Sequence, residues 1–257
     1  MRLVDTHCHL DYIAREGADI KTVMADAESV GVCWLVNPSV TPDKFDDVLH
    51  MTEQFENVYA AVAVHPTDVQ DCASGVFENE IQTMLNHPKV IALGETGLDY
   101  YHDTTHVDLQ HHFFRLFLKM GRERDLPVII HDREAHEDVH RLVSEFPGVH
   151  GIMHCFSGDT AFAQRMIEKG FLISFAGNLT FKNAHNLHEA ARDIPLEHIL
   201  IETDSPFLSP MPYRGKPNEP ARVRFVGEKI AELKNMPVET VAEATTENAL
   251  KVFKLPC

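Results

Sequence analysis

Six residues of the kinds that bind divalent cations each follow a short apolar run in this chain. They are His7 and His9 in VDTHCHL, Glu95 in IALGETGLD, His131 in VIIHDR, His154 in GIMHCFSG and Asp204 in LIETDSP. Imidazole nitrogens and carboxylate oxygens bind divalent ions, which activate water and bind phosphate or carbonyl oxygens. The set predicts a hydrolytic centre with two divalent ions. Nitrogen ligands favour Zn or Mn over an all-oxygen Mg site, but Mg, Mn and Zn all stay candidates.

The spacing predicts a role for each ligand. His7 and His9 lie two residues apart on a predicted strand, so both side chains can point to the same ion. Glu95 has two carboxylate oxygens and can bridge both ions. Asp204 can bind an ion through one oxygen and accept a proton from water through the other, so Asp204 and Glu95 are the predicted catalytic residues. One ion would then have His7, His9, Glu95 and Asp204 as ligands, and the other Glu95, His131 and His154.

Strands and helices alternate along the whole chain. Apolar, β-branched runs predict eight strands near 2–9, 33–38, 58–65, 90–95, 127–132, 151–155, 171–176 and 199–204. Helical patterns lie near 20–30, 42–55, 76–86, 105–124, 136–146, 160–169, 181–192, 219–234 and 238–252. This order predicts a single (β/α)₈ barrel over residues 1–257, with the metal site at the carboxyl ends of the strands. An open doubly wound sheet is the alternative, but its ligands would collect at one switch point.

Alternation along the predicted strands extends to neighbouring residues. It turns Leu3 and Asp5 towards the barrel axis with His7, and Leu93 with Glu95. It turns Cys8 and Cys155 outward, where we expect small core residues and no ligands. In strand 8 the residue Glu202 lies deeper than Asp204, so we expect it to orient a ligand rather than to bind an ion.

Two further residues are predicted to contact substrate. His65 follows strand 3 in AVAVHP, where it could contact substrate, donate a proton to the leaving group, or only fix the Pro66 turn. Arg214 lies in the long loop after strand 8, at a place where barrels commonly bind phosphate, although a surface salt bridge is the alternative. Other cations near the rim are Arg133, Lys182 and Lys216. Loop aromatics that could stack bases or simply pack are Tyr100, Tyr101, Phe156, Phe181 and Tyr213.

Charge and cysteine content narrow the class of protein. The chain has 23 Lys and Arg against 39 Asp and Glu, a net charge of −16, which excludes a general nucleic-acid coating protein. Any phosphate binding must therefore be local. Five cysteines form no CxxC pair and predict no disulfide framework. The first residues do not resemble a signal peptide, and no apolar run suits a membrane span, so we expect a cytoplasmic protein, and we expect a monomer.

The motifs VDTHCHL, AVHP, GETGLDY, HCFSG, ETDSP and PYRGKPNEP together resemble those of the TatD family of metal-dependent hydrolases. The resemblance runs in order from Met1 to about Phe253. It implies a TIM barrel and a deoxyribonuclease, often a 3′-to-5′ exonuclease on single strands. It also implies metal ligands at the same six positions and substrate contacts at His65 and Arg214. Motifs common to all branches of the family do not specify the physiological substrate.

Three functions remain to be weighed. The first is metal-dependent hydrolysis of DNA or another phosphodiester. The second is an amidohydrolase-like enzyme acting on a small amide, lactone or ester. Such enzymes often bridge their metals with a carboxylated Lys on strand 4, where this chain has Glu95, and no Lys ends a predicted strand on the inward face. The third is a non-catalytic binding protein, which would be expected to have lost some of the six ligands.

Overall fold

The computed structural model describes residues 1–72 and 77–256. Eight strands form one sheet in which each strand pairs in parallel with the next along the chain. They are β1 Leu3–Asp5, β2 Val32–Pro38, β3 Val58–Ala61, β4 Val90–Asp99, β5 Val128–Arg133, β6 Gly151–Met153, β7 Phe171–Phe175 and β8 Ile199–Ile201. All eight predicted strands are present in the predicted order, although β1, β3, β6 and β8 are shorter than predicted and β4 is longer.

The last strand returns to the first and closes the barrel just beyond their ends. The backbone N–H of Thr6 donates to the carbonyl of Ile201 at 3.2 Å, and Cys8 and Ser205 form a parallel bridge. Closure at this level places the segments that follow β1 and β8 side by side. The predicted (β/α)₈ barrel is confirmed, and both segments carry predicted ligands.

Helices connect consecutive strands in the described part of the chain. They are α1 Leu10–Arg15, α2 Ile20–Ser29, α3 Phe45–Gln54, α4 Phe77–Met84, α5 Val107–Arg124, α6 His136–Ser144, α7 Thr160–Ile167, α8 His185–Asp193, α9 Val223–Lys234 and α10 Val238–Phe253. Residue 76, the start of the helix predicted near 76–86, lies outside the described residues. None of the described helices has the length and apolar content needed to cross a bilayer.

Helix α1 was not predicted from the sequence. This six-residue helix begins directly after His9, which does not cap it through its side chain. Short helices are marginal by themselves, so tertiary contacts must stabilise it. Its Leu10 is fully buried, and the backbone N–H of Leu10 donates to Asn37 Oδ1 at 2.8 Å. The predicted first strand, 2–9, is therefore a short strand followed by a turn into a helix.

The barrel interior is filled by one apolar side chain from most strands. This inner cluster comprises Val4, Val36, Ala61, Ala92, Ile129, Ile152 and Leu200, and it also includes Phe253 at the end of α10 and Leu255 just beyond it. Leu3 and Leu93 instead belong to the larger cluster between strands and helices. The prediction that these two leucines face inward was wrong. It assumed strict alternation of side chains backwards from His7 and from Glu95, and neither strand alternates regularly up to its ligand.

Candidate metal centre

Glu95 reaches the barrel axis because β4 is irregular. Ala92 lies in the inner cluster, so strict alternation would turn Glu95 outward towards the helices. The pairing of β4 with β5 shifts register between Leu93 and Thr96, and this shift brings Glu95 inward. Gly94 permits the close approach, since a Cβ there would lie 2.5 Å from Ile129 Cβ. The inward position of Glu95 was predicted, but for the wrong reason.

One oxygen of Glu95 faces the histidines that follow β1. Glu95 Oε2 lies 3.3 Å from His7 Nε2 and 4.0 Å from His9 Nε2. The two Nε2 atoms lie 3.2 Å apart. Asp204, after β8, adds its Oδ1 at 3.6 Å from His9 Nε2 and 3.9 Å from His7 Nε2. The structure therefore brings together all four residues predicted for the first ion.

The other oxygen of Glu95 faces a different group of ring nitrogens. Glu95 Oε1 lies 2.7 Å from His131 Nδ1, 3.4 Å from His154 Nε2 and 3.5 Å from His65 Nε2. His65 Nε2 is also 3.3 Å from His131 Nδ1. The residues predicted for the second ion thus lie together, and His65, predicted only as a substrate contact, lies among them.

The charges in the cluster favour cation binding. Burial by itself would raise the pKa of Glu95, but the imidazoles of His154, His65 and His7 more than offset this and hold that pKa well below its usual range. The same balance lowers the pKa of Asp204, where burial opposes the contacts from His9 and the other imidazoles. Both carboxylates are therefore ionised at neutral pH. Nitrogen and carboxylate donors within 4.8 Å of one another suit one or two divalent ions.

A buried carboxylate lies behind His154. Glu202 Oε1 is 2.8 Å from His154 Nδ1, on the ring edge opposite the cluster, and it also accepts from the backbone N–H of Cys155 at 2.7 Å. Its other oxygen accepts from Ser174 Oγ at 2.6 Å, and Ser174 Oγ contacts Thr6 Oγ1 at 3.1 Å. Although burial lowers the pKa of His154, the charges of Glu202 and Glu95 raise it to about 10. The deeper position predicted for Glu202 is confirmed.

A second carboxylate lies behind His131. Asp99, at the end of β4, has its Oδ2 at 3.0 Å from His131 Nε2 and 2.8 Å from His102 Nδ1. Its Oδ1 accepts from the backbone N–H groups of Tyr101 and His102. A ring that donates Nε2–H to Asp99 can turn an unprotonated Nδ1 towards the cluster, which is the form of imidazole that binds a cation. The sequence analysis missed Asp99, although it lies four residues after Glu95 in the same motif.

The two cysteines beside the histidines differ in environment. Cys8 is fully buried in the cluster between strands and helices, as predicted. Cys155 instead lines the cavity, with its Sγ near His154 and Asp204. Its backbone φ of 43° lies in the left-handed region, so the side chain does not follow strand alternation. The prediction that Cys155 points outward was therefore wrong.

The cluster lies at the base of an open cavity of about 630 Å³. His65 and Arg133 line this cavity, together with the exposed aromatic Phe207. Arg214 is not among the lining residues, and its guanidinium lies 4.3 Å from the ring centre of Phe181 on the surface. The structure thus places His65 beside the ligands and Arg214 away from them.

Comparison with known proteins identifies the family of this chain. The profile of the family described as TatD related DNase matches residues 4–254. The chain belongs to this family. The metal-dependent hydrolase YabD of Bacillus subtilis, itself described as uncharacterized, is 40% identical over 98% of this chain and 99% of its own length. The equally uncharacterized hydrolase YcfH of Escherichia coli is 38% identical over 99% of this chain and 97% of its own length.

A relative of known structure has the same fold. The crystal structure of YjjV, a TatD homologue from Escherichia coli, superposes with a TM-score of 0.93 and is 30% identical, covering 99% of both chains. The predicted resemblance to the TatD family is confirmed. These names identify relatives and their family, and they leave the substrate of this chain to be argued from its own site.

Proposed function

We propose that this protein is a metal-dependent hydrolase of DNA phosphodiester bonds, acting as a 3′-to-5′ exonuclease on single strands. One observation carries the proposal: the two oxygens of Glu95 face different sets of ring nitrogens, at 3.3 Å from His7 Nε2 and 2.7 Å from His131 Nδ1. This is the arrangement expected of a carboxylate that bridges two cations, and paired cations are suited to displacement at phosphorus. The family description, TatD related DNase, supports DNA as the substrate.

Two divalent ions would be held by the side chains around Glu95. One would have His7, His9, Glu95 and Asp204 as ligands, and the other Glu95, His131 and His154. When bound, such ions lower the pKa of water and stabilise negative charge on phosphate oxygens. Mg, Mn and Zn each fit a set of imidazole and carboxylate donors, although the nitrogen content favours Zn or Mn.

Asp204 is proposed to accept the proton of the attacking water. Its pKa is lowered, because contacts with the surrounding imidazoles more than offset its burial, so the carboxylate is available as a base at neutral pH. Its side chain is 14% exposed and lines the cavity, where substrate would enter. Only Oδ1 makes the contacts with His7, His9 and His154, which leaves Oδ2 for the proton.

His65 is proposed to contact the phosphate or to donate a proton to the leaving oxygen. Burial lowers its pKa, but the neighbouring carboxylates of Glu95 and Asp68 raise that pKa to about 9. Its Nδ1 lies 2.7 Å from Thr67 Oγ1, which in turn donates to Asp68 Oδ2 at 2.9 Å. This chain fixes the ring with Nε2 towards Glu95.

The cavity mouth offers rings for bases. Phe207 is 48% exposed, and its ring centre lies 6.1 Å from Tyr12 and 6.0 Å from His9. Single-stranded nucleic acids bind by stacking bases on such rings. Arg214 would reach phosphates only further along a strand, since it lies outside the cavity. Two of the aromatics named from the sequence are less available: Phe156 is 2% exposed, and the hydroxyl of Tyr100 donates to Asp138 at 2.7 Å.

Hydrolysis of a small amide, lactone or ester is the alternative function. Within the described residues no Lys lines the cavity, and strand 4 supplies Glu95 where related amidohydrolases often use a carboxylated Lys. This favours the phosphodiesterase. A purely non-catalytic binding role is disfavoured, because all six predicted ligands converge on one cluster.

The test is degradation of a 5′-labelled single-stranded DNA oligonucleotide by metal-stripped protein after addition of Mg, Mn or Zn. We expect a metal-dependent ladder that shortens from the 3′ end. Glu95→Ala should abolish it and Asp204→Asn should reduce turnover by at least about a hundredfold, the usual contribution of a catalytic base. Glu123→Ala, which removes an exposed carboxylate from α5, is the matched control and should behave as wild type.

Two results would contradict the proposal. Intact DNA with every metal, combined with turnover of lactones or amides, would move the protein to the alternative class. Normal turnover by Asp204→Asn would leave a phosphodiesterase but remove Asp204 as the base.

A further inference from the structure

The cavity wall is rich in carboxylates and poor in cations. Five acidic side chains line it, and they are Asp68, Glu95, Asp99, Asp132 and Asp204. Among the lining residues that the structure describes, Arg133 is the one Lys or Arg. Bound ions would neutralise the deep carboxylates, but the outer wall would still repel the next phosphate of a DNA strand. Arg133 is the side chain in position to offset that repulsion.

Arg133 has a rigid base and a free guanidinium. It is the last residue of β5, paired with Asp99 of β4, and its carbonyl accepts from the backbone N–H of Tyr100 at 2.9 Å. It follows His131 by two residues, about 7 Å further out along the strand. No carboxylate in the described parts of the chain lies within ion-pair distance of its guanidinium, which lies 4.9 Å from the ring centre of Tyr101.

Tyr101 is a large aromatic side chain left open to solvent. It is 58% exposed, the highest value among the large hydrophobic side chains of the described residues. Its backbone N–H donates to Asp99 Oδ1 at 2.9 Å, so the residue is anchored although its ring is exposed. Tyr101 and Arg133 therefore form one unit, in which an arginine that lines the cavity lies against an exposed aromatic ring.

Three other arginines that lie over aromatic rings differ from Arg133, because each of them also contacts a carboxylate. Arg15, which lies over Tyr12, also binds Asp11 and Asp47. In the same way, Arg165 binds Glu137 and Arg222 contacts Glu219. Their guanidiniums already have carboxylate partners.

Two further pairs lack a carboxylate partner in the described structure, but they lie elsewhere. Arg214 lies over Phe181 outside the cavity, and Arg122 lies over Phe146 near the end of α5. Because α5 runs back from the carboxyl ends of the strands, Arg122 lies towards the opposite end of the barrel. Arg133 thus combines a guanidinium without a carboxylate partner in the described structure with a place in the cavity wall, and Tyr101 lies against it.

We propose that Tyr101 and Arg133 form the subsite for the nucleotide next to the bond that is cleaved, with Arg133 binding its phosphate and Tyr101 stacking on its base. The inference rests on the proposed function and names a part of its substrate site. A guanidinium matches two phosphate oxygens, and stacking on an aromatic ring tolerates any base. The subsite therefore favours strands of at least two nucleotides over isolated diesters, without a preference for sequence.

The test compares two substrates that differ in the neighbouring nucleotide. One is a short oligothymidylate, and the other is bis(4-nitrophenyl) phosphate, which has a diester but no neighbour. For the oligonucleotide we expect Arg133→Ala and Tyr101→Ala each to raise KM about tenfold, the loss of one phosphate contact or one stacked base, with kcat within about twofold. The increase should be much smaller for the small diester. Tyr101→Phe keeps the ring and should restore most of the affinity.

Salt dependence gives a readout that a structural role would not change. Loss of one phosphate contact should lower the slope of log KM against log salt concentration by about 0.7 for a single strand. Arg133→Ala should show this change and Tyr101→Ala should not. Arg122→Ala removes an arginine with the same kind of aromatic contact at the far end of the barrel, and it should match wild type on both substrates.

Three outcomes would overturn the inference. Equal losses on both substrates would mean that the pair acts on the cleaved bond and not on a neighbour. A raised oligonucleotide KM in Arg214→Ala but not in Arg133→Ala would place the phosphate path on the other side of the barrel mouth. If the wild-type protein cleaves neither substrate with any metal, the proposed function itself fails and takes this subsite with it.

Discussion

His154 and His131, which both face Glu95 Oε1, each have a carboxylate behind the ring, but the surroundings of the two carboxylates differ. Behind His154 lies Glu202, which has no exposed surface and continues into the barrel interior through Ser174 and Thr6. Behind His131 lies Asp99, which shares its carboxylate with His102, a residue 58% exposed at the mouth. We name these the deep wall, Glu202 with Ser174 and Thr6, and the rim wall, Asp99 with His102.

The partners of the two histidines therefore differ in their access to water. In the deep wall every partner is buried, so a lost contact leaves an unpaired polar group that water cannot reach. In the rim wall the pKa of Asp99 is held below its usual range because hydrogen bonds from His131 and His102 more than offset burial. Water can take the place of His102, the exposed residue of the rim wall. We therefore expect the deep wall to govern stability as well as metal affinity, and the rim wall chiefly metal affinity.

The largest effect is expected from the deep wall. Glu202→Ala removes the acceptor for Cys155 N and Ser174 Oγ and leaves His154 without its counter-charge. The free energy of unfolding should fall by about 3 kcal/mol, as for other broken buried pairs. Metal affinity should fall by about 10- to 100-fold. Denaturant unfolding and titration calorimetry with Zn or Mn measure the two effects.

Glu202→Gln keeps the size of the side chain but removes its negative charge, so it distinguishes the effect of packing from the effect of charge. The amide retains an acceptor for Cys155 N, so stability should recover more than metal affinity does. Glu197→Ala removes an exposed carboxylate five residues earlier and serves as the control. Wild-type stability in Glu202→Ala would contradict the claim that the deep wall supports the barrel.

A smaller effect is expected from Asp99→Asn in the rim wall. The side-chain amide can still accept from the backbone at Tyr101 and His102, but the negative charge beside His131 is lost. Metal affinity should fall about tenfold, with unfolding changed by about 1 kcal/mol or less. Calorimetry and denaturant unfolding again provide the two readouts.

Asp103 offers a matched control for Asp99. It makes the same turn, accepting from the backbone at Thr105 and His106 and contacting the His106 ring at 2.9 Å, but it touches no candidate ligand. Asp103→Asn should leave metal affinity unchanged. Equal losses in both variants would show that the turn matters rather than the contact with His131.

The smallest effect is expected from His102→Ala. Because the ring is 58% exposed, water can take its place against Asp99 Oδ2, and metal affinity should change by less than about twofold. His106→Ala is the parallel control. A tenfold loss of metal affinity in His102→Ala would show that water cannot replace His102 in the rim wall. The proposed difference between the two walls would then be wrong.

Much of the site could be predicted from the sequence because each ligand follows a buried strand. In a parallel barrel all carboxyl ends of strands meet at one face, so six residues that belong to five different strands had to converge. The same logic predicted Glu202 below Asp204. It failed where the backbone departs from regular alternation, as at Cys155 with its left-handed φ and at Leu93 before the register shift in β4.

The order of strands and helices, the six candidate ligands and the family could all be predicted from the amino-acid sequence, because apolar periodicity and motif order are properties of the chain alone. That Glu95 divides its two oxygens between two groups of histidines became visible in the folded structure. The folded structure also shows that Asp99 stands behind His131, and that Arg133 lines the cavity while Arg214 does not. The physical reason is that these relations depend on strand register and loop conformation, which are set by packing between segments distant in sequence.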